Sequence, residues 1–407
     1  MTKNLFLSVG EPSGDQHTAR LMQALRRQRG DIRFSGFGGQ AMKAAGCKLN
    51  QDMTKMAVVG LVEVIPKYRE FLRLVDDAAA VFKRGDVDGV LLVDFPGFNW
   101  HIAKKAKQYG LPVHYYLPPQ LWAWGGWRIG KMRKYVDHAM TVLPFEDAWF
   151  RSHGMDTSYV GHPFFDLVEN RPLDQRLLDR FDDLNCSGER LVAILPGSRE
   201  HEVQRNFPVM LEAIRRLAKK HRDARFLIGA YRDTHGLWCR QQLKHEDRRL
   251  PIDIFVGKTS EVIEASECAM MVSGSVSLEL LARGTPAAVI YRVGRVLHTF
   301  GQSVLRVNSI TLVNLMAGHT LFPEMVSVGR TEPAVDFLHK SVGAMLQDEY
   351  YRKGLMQQMN NLRAEQAIPG ATDRAAQALL GRLGWMSLVS REIKTEAVEA
   401  AVLRRAA

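Results

Sequence analysis

Apolar residues along this chain fall in short unbroken runs, each leading into a small-residue turn and then into positions of helical spacing. Leu5-Phe6-Leu7-Ser8-Val9 enters the turn Gly10-Glu11-Pro12-Ser13-Gly14-Asp15, and helical spacing then runs from His17 to Arg26. Leu191-Val192-Ala193-Ile194-Leu195 enters Pro196-Gly197-Ser198-Arg199, and a helix-like pattern follows through Val209, Ile214 and Leu217. A buried strand that feeds a helix through a tight turn is the start of a Rossmann-type unit. There the free N–H groups of the helix N-terminus are offered to an anion. One such start in each half predicts two facing Rossmann-like domains with a cleft between them.

Further strand-like runs lie at 89–93, 112–116 and 139–143 in the first half, and at 225–228, 252–256, 269–272 and 286–290 in the second. Their alternation with helical patterns predicts a parallel α/β architecture. The polar stretch 170–190, with Pro172 and two acidic clusters, reads as the joint. From about Pro333 the pattern is helical, ending in a charged helix after Gly384. The expected domains are 1–168, 169–345 and a helical C-terminus, 346–407, that returns to the first domain or exchanges with a partner subunit.

Composition changes this picture little. Hydrophobic residues make up 46% and charged residues 24% of 407 residues, the balance of a globular protein. No run approaches a membrane span of about 18 apolar residues, and the opening strand leaves no room for a signal peptide. Cys47, Cys186, Cys239 and Cys268 are widely spaced, which fits reduced thiols in a cytoplasm. Charge is more informative. The net charge is +11, and residues 1–165 hold 22 basic against 15 acidic residues. That bias suits an acidic partner such as a phosphorylated substrate or anionic lipid, or else solvated helix faces. No nucleic-acid motif accompanies it, and none is expected as a partner.

Several residues carry candidate chemistry. Gly197, Ser198 and Arg199 combine close backbone approach with a planar guanidinium, suited to a phosphate. Ser273-Gly274-Ser275-Val276-Ser277 makes a second small-residue turn after a strand, able to hold a diphosphate on helix N–H groups. Glu279, one turn into that helix, either accepts two ribose hydroxyls or steadies the helix dipole. Asp94 ends the apolar run 89–93 in Asp94-Phe95-Pro96-Gly97-Phe98-Asn99. It is expected to act as a general base, its pKa raised by apolar neighbours, or to cap the next helix. Glu11 and Asp15 flank Ser13-Gly14 and compete with it for the base role or orient a sugar hydroxyl. Asp86 and Asp88 precede their strand and read as a turn; neither a metal nor any other cofactor is expected. His162, in Gly161-His162-Pro163, either closes the first domain or sits over a nucleotide. Met56, Val58, Val59, Leu61, Val62, Val64 and Ile65, followed by Lys67, Arg69 and Arg73, form either a core helix or an apolar patch with a basic collar. Trp122, Trp124 and Trp127, beside Arg128 and Lys131, suit a membrane-interface or substrate-lining loop.

Taken in order, these blocks resemble the lipid A disaccharide synthase family, glycosyltransferases with two Rossmann-like domains (GT-B type). The resemblance covers nearly the whole chain. Gly10–Asp15 is similar to the family's S-G-E-A-S-G-D, Asp94–Asn99 to I-D-x-P-x-F-N, and Pro119-Gln120-Leu121-Trp122-Ala123-Trp124 to P-Q-V-W-A-W. Leu143-Pro144-Phe145-Glu146, Gly161-His162-Pro163, Leu195–Arg199, Ser273-Gly274, Asn314-Leu315-Met316-Ala317-Gly318 and Pro323-Glu324 complete the series. The chain departs from the pattern at Pro12, Gly125, Ser275-Val276-Ser277, Val313 and Ser327.

The resemblance implies an inverting transfer of 2,3-diacylglucosamine from its UDP derivative (UDP-diacylglucosamine) to the 6-hydroxyl of 2,3-diacylglucosamine 1-phosphate (diacylglucosamine 1-phosphate), releasing UDP. A UDP-sugar 2-epimerase, or a transferase with a different lipid acceptor, is the alternative. The implied nucleotide-sugar set is Gly197, Ser198, Arg199, Ser273, Gly274, Ser275, Ser277, Glu279, Tyr291 and Asn314. Ser13, Gly14, Asn99 and the Met56–Ile65 cluster would face the acceptor or an anionic membrane. A homodimer, peripheral on the inner face of the inner membrane, is also implied.

Overall fold

A computed structural model describes residues 2–54, 64–294 and 309–386, with side chains described from residue 69 onward in the second of these stretches. The chain forms two compact units. One comprises the chain up to Pro163 together with the segment from Pro369 onward; the other is Phe164–Ile368.

The first unit holds a seven-stranded sheet of β1 (Lys3–Val9), β2 (Ile32–Gly38), β3 (Lys48–Asp52), β4 (Gly89–Val93), β5 (Val113–Tyr116), β6 (His138–Thr141) and β7 (Thr157–Tyr159). The second holds six strands, β8 (Arg190–Leu195), β9 (Ala224–Ala230), β10 (Ile252–Val256), β11 (Cys268–Val272), β12 (Ala287–Val293) and β13 (Glu324–Val328). Their orders are β3-β2-β1-β4-β5-β6-β7 and β10-β9-β8-β11-β12-β13, with parallel neighbours throughout. Each sheet therefore reverses its direction of growth beside its first strand, opening the crevice where α/β folds take ligands.

Register brings the sequence motifs to those crevices. Val9 pairs with Val93, so the Gly10 turn and Asp94 emerge side by side. Leu195 pairs with Met271, so the Gly197 and Ser273 turns do the same in the second unit. The uninterrupted apolar runs are explained by burial: every residue of β4 and of β11 is inaccessible to solvent. β2, β3, β7 and β13 fall outside the predicted runs. β2 carries glycines, and Gly36 adopts φ +138° because a Cβ there would lie 2.0 Å from the Leu7 carbonyl oxygen. β3 is a polar edge strand, so its composition gives no strand signal.

The helices Glu332–Gln347 and Glu349–Gln366 pack on the second unit, against Glu200–Lys220 and Val276–Arg283 respectively. The helix Ala371–Arg382 belongs to the first, lying along Pro12–Gln28. Buried Ala371, Ala375 and Ala376 permit that close approach, while Arg27 pairs with Asp373 at 2.8 Å and Arg29 Nη1 donates to the Trp385 carbonyl at 2.7 Å. No helix among the described residues is long and apolar enough to cross a membrane.

Candidate active site

Asp94 occupies an unusual backbone. It and Phe95 have φ of 47° and 44°, and with Leu117 they are the three non-glycine residues of positive φ among those described. Such conformations cost roughly 1–3 kcal/mol each and persist only where surroundings enforce them. The surroundings here are specific. Tyr115 Oη donates to the Asp94 carbonyl at 2.5 Å and Asn99 Nδ2 donates to it at 2.8 Å. Gly10 leaves room for Phe95, whose ring carbon would lie 2.3 Å from a Cβ at residue 10. Gly14 leaves room for the carboxylate, since a Cβ there would lie 2.6 Å from Asp94 Oδ2. Burial, with the Glu11 carboxylate as the lesser cause, pushes the Asp94 carboxyl up to about 7. No donor to this carboxylate is found among the described residues, so its lone pairs remain available.

Around it the other acids and amides divide into two kinds. Glu11 and Ser13 are exposed at the start of the Pro12–Gln28 helix, and Glu11 caps no backbone N–H with its side chain. Asp15 is buried and occupied: its carboxylate accepts from the N–H groups of Gly39 at 2.7 Å, Ala41 at 2.9 Å and Met42 at 3.1 Å. It thus caps the Gln40–Ala44 helix, a structural task that its candidacy as a base did not include. Asn99 is wholly buried, accepting from Ser8 Oγ at 2.6 Å and donating to the carbonyls of Ser8, Val93 and Asp94. It ties β1 to β4 and faces no acceptor.

In the second unit the two turns differ. After β8, Glu202 fills the anion seat from within. Its Oε2 accepts from Ser198 N at 3.1 Å and Arg199 N at 3.2 Å, and its Oε1 pairs with Arg199 Nη1 at 2.9 Å. Gly197 at φ +129° makes this possible, since a Cβ there would lie 2.6 Å from Glu202 Cβ. What remains for a ligand is the guanidinium of Arg199, whose side chain is 69% exposed. After β11, by contrast, the N–H groups of Gly274, Ser275 and Val276 have no acceptor among the described residues, and the space in front of Gly274 is open. Ser277 Oγ closes that turn on the Gly274 carbonyl and Ser273 Oγ donates to Ile310 O, so Ser275 alone of the three presents an uncommitted, exposed hydroxyl.

Glu279 is buried and pairs through Oε1 with Arg283 Nε at 3.1 Å, while Arg283 also reaches Glu264 at 2.6 Å. Glu279 Oε2 accepts no hydrogen bond among the described residues. Tyr291 is 40% exposed near the end of β12, beside the Ser273 turn, whose N–H donates to Ile290 O. Asn314 is buried, with Oδ1 accepting from Leu321 N and Phe322 N and Nδ2 donating to Phe322 O, each at 2.8 Å. Glu324 likewise accepts from Ile310 N, Thr311 N and Thr311 Oγ1. These motif residues staple loops.

Three residues that sequence reasoning did not single out complete the picture: Tyr115, Glu202 and Glu146. Glu146, fully buried, accepts from Val142 N at 3.0 Å and Trp122 Nε1 at 3.1 Å, and burial raises its carboxyl to about 7. It anchors the loop from which Trp124 and Trp127 protrude, 47% and 75% exposed, with Arg128 stacked 4.1 Å from the Trp124 ring. Glu202 makes only the acidic half of a capping box, accepting from Arg199 N three residues back, and an acid at that helix position was the available signal for it.

Met56, Val58, Val59, Leu61 and Val62 lie outside the described residues, as does the side chain of Ile65 in the helix Val64–Lys83. Asp86 pairs with Arg84 in the turn before β4, whereas Asp88 accepts from Asn4 N and pairs with Lys3, tying that turn to the start of β1. No group of three or more metal-binding side chains occurs among the described residues.

Each unit is an open parallel α/β sheet with its motif turns beside a switch point: the first carries a carboxylate without a donor among the described residues, the second a guanidinium and, after β11, N–H groups without an acceptor among them. Solved structures share this fold. A putative UDP-N-acetylglucosamine 2-epimerase from Listeria monocytogenes matches with TM-score 0.65 at 13% identity, covering 95% of this chain and 98% of that one. The UDP-GlcNAc 2-epimerase from Neisseria meningitidis, solved with UDP-GlcNAc bound, matches with TM-score 0.60 at 13% identity, covering 93% and 99%. At such identity these establish the GT-B-like fold alone.

Sequence relatives are more specific. The family model described as lipid-A-disaccharide synthetase matches residues 5–378. The lipid-A-disaccharide synthases of Syntrophus aciditrophicus and Myxococcus xanthus are 36% and 32% identical over 378 and 379 residues, each match covering 92% of this chain and 96% of the relative. The chain belongs to the lipid-A-disaccharide synthetase family, and is thereby a glycosyltransferase that forms the lipid A disaccharide.

Proposed function

We propose that this enzyme moves 2,3-diacylglucosamine from UDP-diacylglucosamine to the 6-hydroxyl of diacylglucosamine 1-phosphate, with Asp94 as general base. The observation that carries the reading is the Asp94 carboxyl: without a donor among the described residues, set at a switch point, and pushed by burial up to about 7, where a base works best. The hydroxyl oxygen attacks the anomeric carbon from the face opposite UDP, and its proton passes to Asp94. The bond from C1 to the diphosphate oxygen breaks, its electron pair leaving with UDP, so an α-linked donor gives the β-1′,6 product. Arg199 and the N–H groups of Gly274 to Val276 offset the charge that develops on the diphosphate, and Glu279 Oε2 takes the ribose. A resident metal has no part in this proposal.

The basic first unit suits an acceptor that carries a phosphate, and exposed Trp124 and Trp127 beside Arg128 suit the surface of an anionic bilayer. The reading therefore includes peripheral attachment to the inner face of the inner membrane, and a homodimer. The purified protein should form UDP and a disaccharide 1-phosphate, identified by mass, only when both lipids are present. Turnover of the donor alone would instead favour an epimerase. Asp94→Asn should lower kcat by about 10²–10⁴ while leaving UDP binding intact; near-normal turnover would transfer the base role to Glu11.

A further inference from the structure

We infer that Tyr115 is a positioning residue for the transfer, holding the Asp94 carboxylate at the reacting hydroxyl through a strained backbone seat. The inference rests on the reading of Asp94 as the base, and extends it to a residue that touches neither substrate.

Left-handed backbone at two successive non-glycine residues does not arise from local preference. Asp tolerates that region passably, but Phe does so poorly. The seat is built from several independent pieces that converge on one peptide. Tyr115, on the neighbouring strand β5, is entirely buried, and its hydroxyl reaches the Asp94 carbonyl at 2.5 Å. Asn99, from the first turn of the following helix, takes the same carbonyl at 2.8 Å and that of Val93 at 3.1 Å. From the other side, glycines at 10 and 14 vacate the volumes filled by the Phe95 ring and by Asp94 Oδ2. Phe71 and Phe98 hold the Phe95 ring at centroid distances of 6.0 and 6.1 Å.

A carbonyl clamped by two donors fixes the peptide plane after Asp94, and with it the direction of the Cα–Cβ bond. Among the described residues no hydrogen bond fixes the carboxylate itself. A side chain that must stay free to accept a proton cannot be held by hydrogen bonds to its own oxygens. Here orientation is supplied through the main chain instead. Removing the Tyr115 hydroxyl leaves only Asn99 on that carbonyl and lets the seat relax toward ordinary backbone angles, swinging the carboxylate away from the acceptor. Misplacement of a reacting group by about 1 Å is enough to lose on the order of a hundredfold in rate.

Tyr115→Phe keeps the ring and removes one oxygen. Its kcat should fall tenfold or more, with donor KM and UDP affinity within twofold of the parent. The acid limb of its pH–rate profile should move below the parent's, because a carboxyl released from the seat is better hydrated. Gly14→Ala provides a second route that survives any folding defect in Tyr115→Phe. Alanine favours the helix more than glycine does, yet its Cβ falls 2.6 Å from Asp94 Oδ2. The same Cβ would lie 3.1 Å from Val9 Cγ1, so the variant should melt within a few degrees of the parent while losing at least tenfold in kcat. Normal kcat in either folded variant, or a loss confined to KM, overturns the inference. Asp94→Asn separates the two levels. If that variant is inactive while Tyr115→Phe and Gly14→Ala are normal, the base stands and the positioning role falls. If Asp94→Asn is itself active, the base assignment is the part that fails.

Discussion

Replacing Asp15 with alanine should damage the fold far more than the chemistry. Its carboxylate accepts three backbone N–H groups, at 2.7, 2.9 and 3.1 Å, and the bonds to Gly39 and Met42 are buried. Truncation leaves those donors without an acceptor and uncaps the Gln40–Ala44 helix. Bonds to charged groups contribute about 1.5–3 kcal/mol each, but water can reach the Ala41 N–H, which is only partly buried. A net loss of about 3–5 kcal/mol follows for the three together. For a unit of this size that lowers the melting temperature by about 10 °C or somewhat more. The assay pairs a thermal melt with initial rates at 15 °C, where the variant remains folded, and with hydrogen exchange at Gly39, Ala41 and Met42. Exchange there should accelerate while kcat per folded molecule stays within about tenfold. An unchanged melting temperature with a thousandfold loss of kcat would refute the scaffolding argument and restore Asp15 to the reaction.

Other consequences are open to direct measurement. A base must be ionised, so kcat/KM should rise tenfold per pH unit below about 7 and level off above it, with this limb absent from Asp94→Asn. Both Asp94 and Glu146 are raised to about 7 in the fold, against ordinary carboxyl values near 4. Between those limits the native state keeps protons that the unfolded chain has released. Stability should therefore fall as pH rises from about 4 to 7, and urea titrations of Asp94→Asn should show a flatter dependence. Asn314→Ala should cost about 2–4 kcal/mol by orphaning the Leu321 and Phe322 N–H groups, detectable as a lower urea midpoint. Trp127→Ser should reduce co-sedimentation with anionic vesicles without altering the melting temperature, since the ring is 75% exposed; unchanged sedimentation would remove this loop from the membrane reading.

The legible part of this molecule was whatever expresses itself as an unbroken apolar run. β1, β4, β8 and β11 are buried on both faces, so their sequences announce them, and the motif turns follow at their ends. The polar edge strand β3 and the glycine-bearing β2 carry no comparable signal. For the site, the sequence pointed to these turns but could not show which of their polar residues are engaged by the scaffold. Asp15, Asn99 and Asn314 are the residue types a sugar site would use, but the same amide and carboxylate groups also satisfy buried backbone N–H and C=O groups. Which task a given Asn performs depends on partners 5 to 91 positions away in the chain, such as Asp94 and Ser8 for Asn99. Tyr115 was hidden for the same reason. It reads as one more apolar strand residue, and only the pairing of β4 with β5 carries its hydroxyl to Asp94.

The helix Ala371–Arg382 has a bearing on biosynthesis. It lines the first unit although the whole of Phe164–Ile368 precedes it in the chain. A ribosome therefore releases the closing piece of the earlier unit last, after Phe164–Ile368 has had time to fold on its own. Until then the nascent chain must keep the apolar flank of Pro12–Gln28 uncovered, a natural substrate for a holdase. Nascent chains halted before residue 371 should accordingly yield a protease-resistant second unit and a protease-sensitive first one.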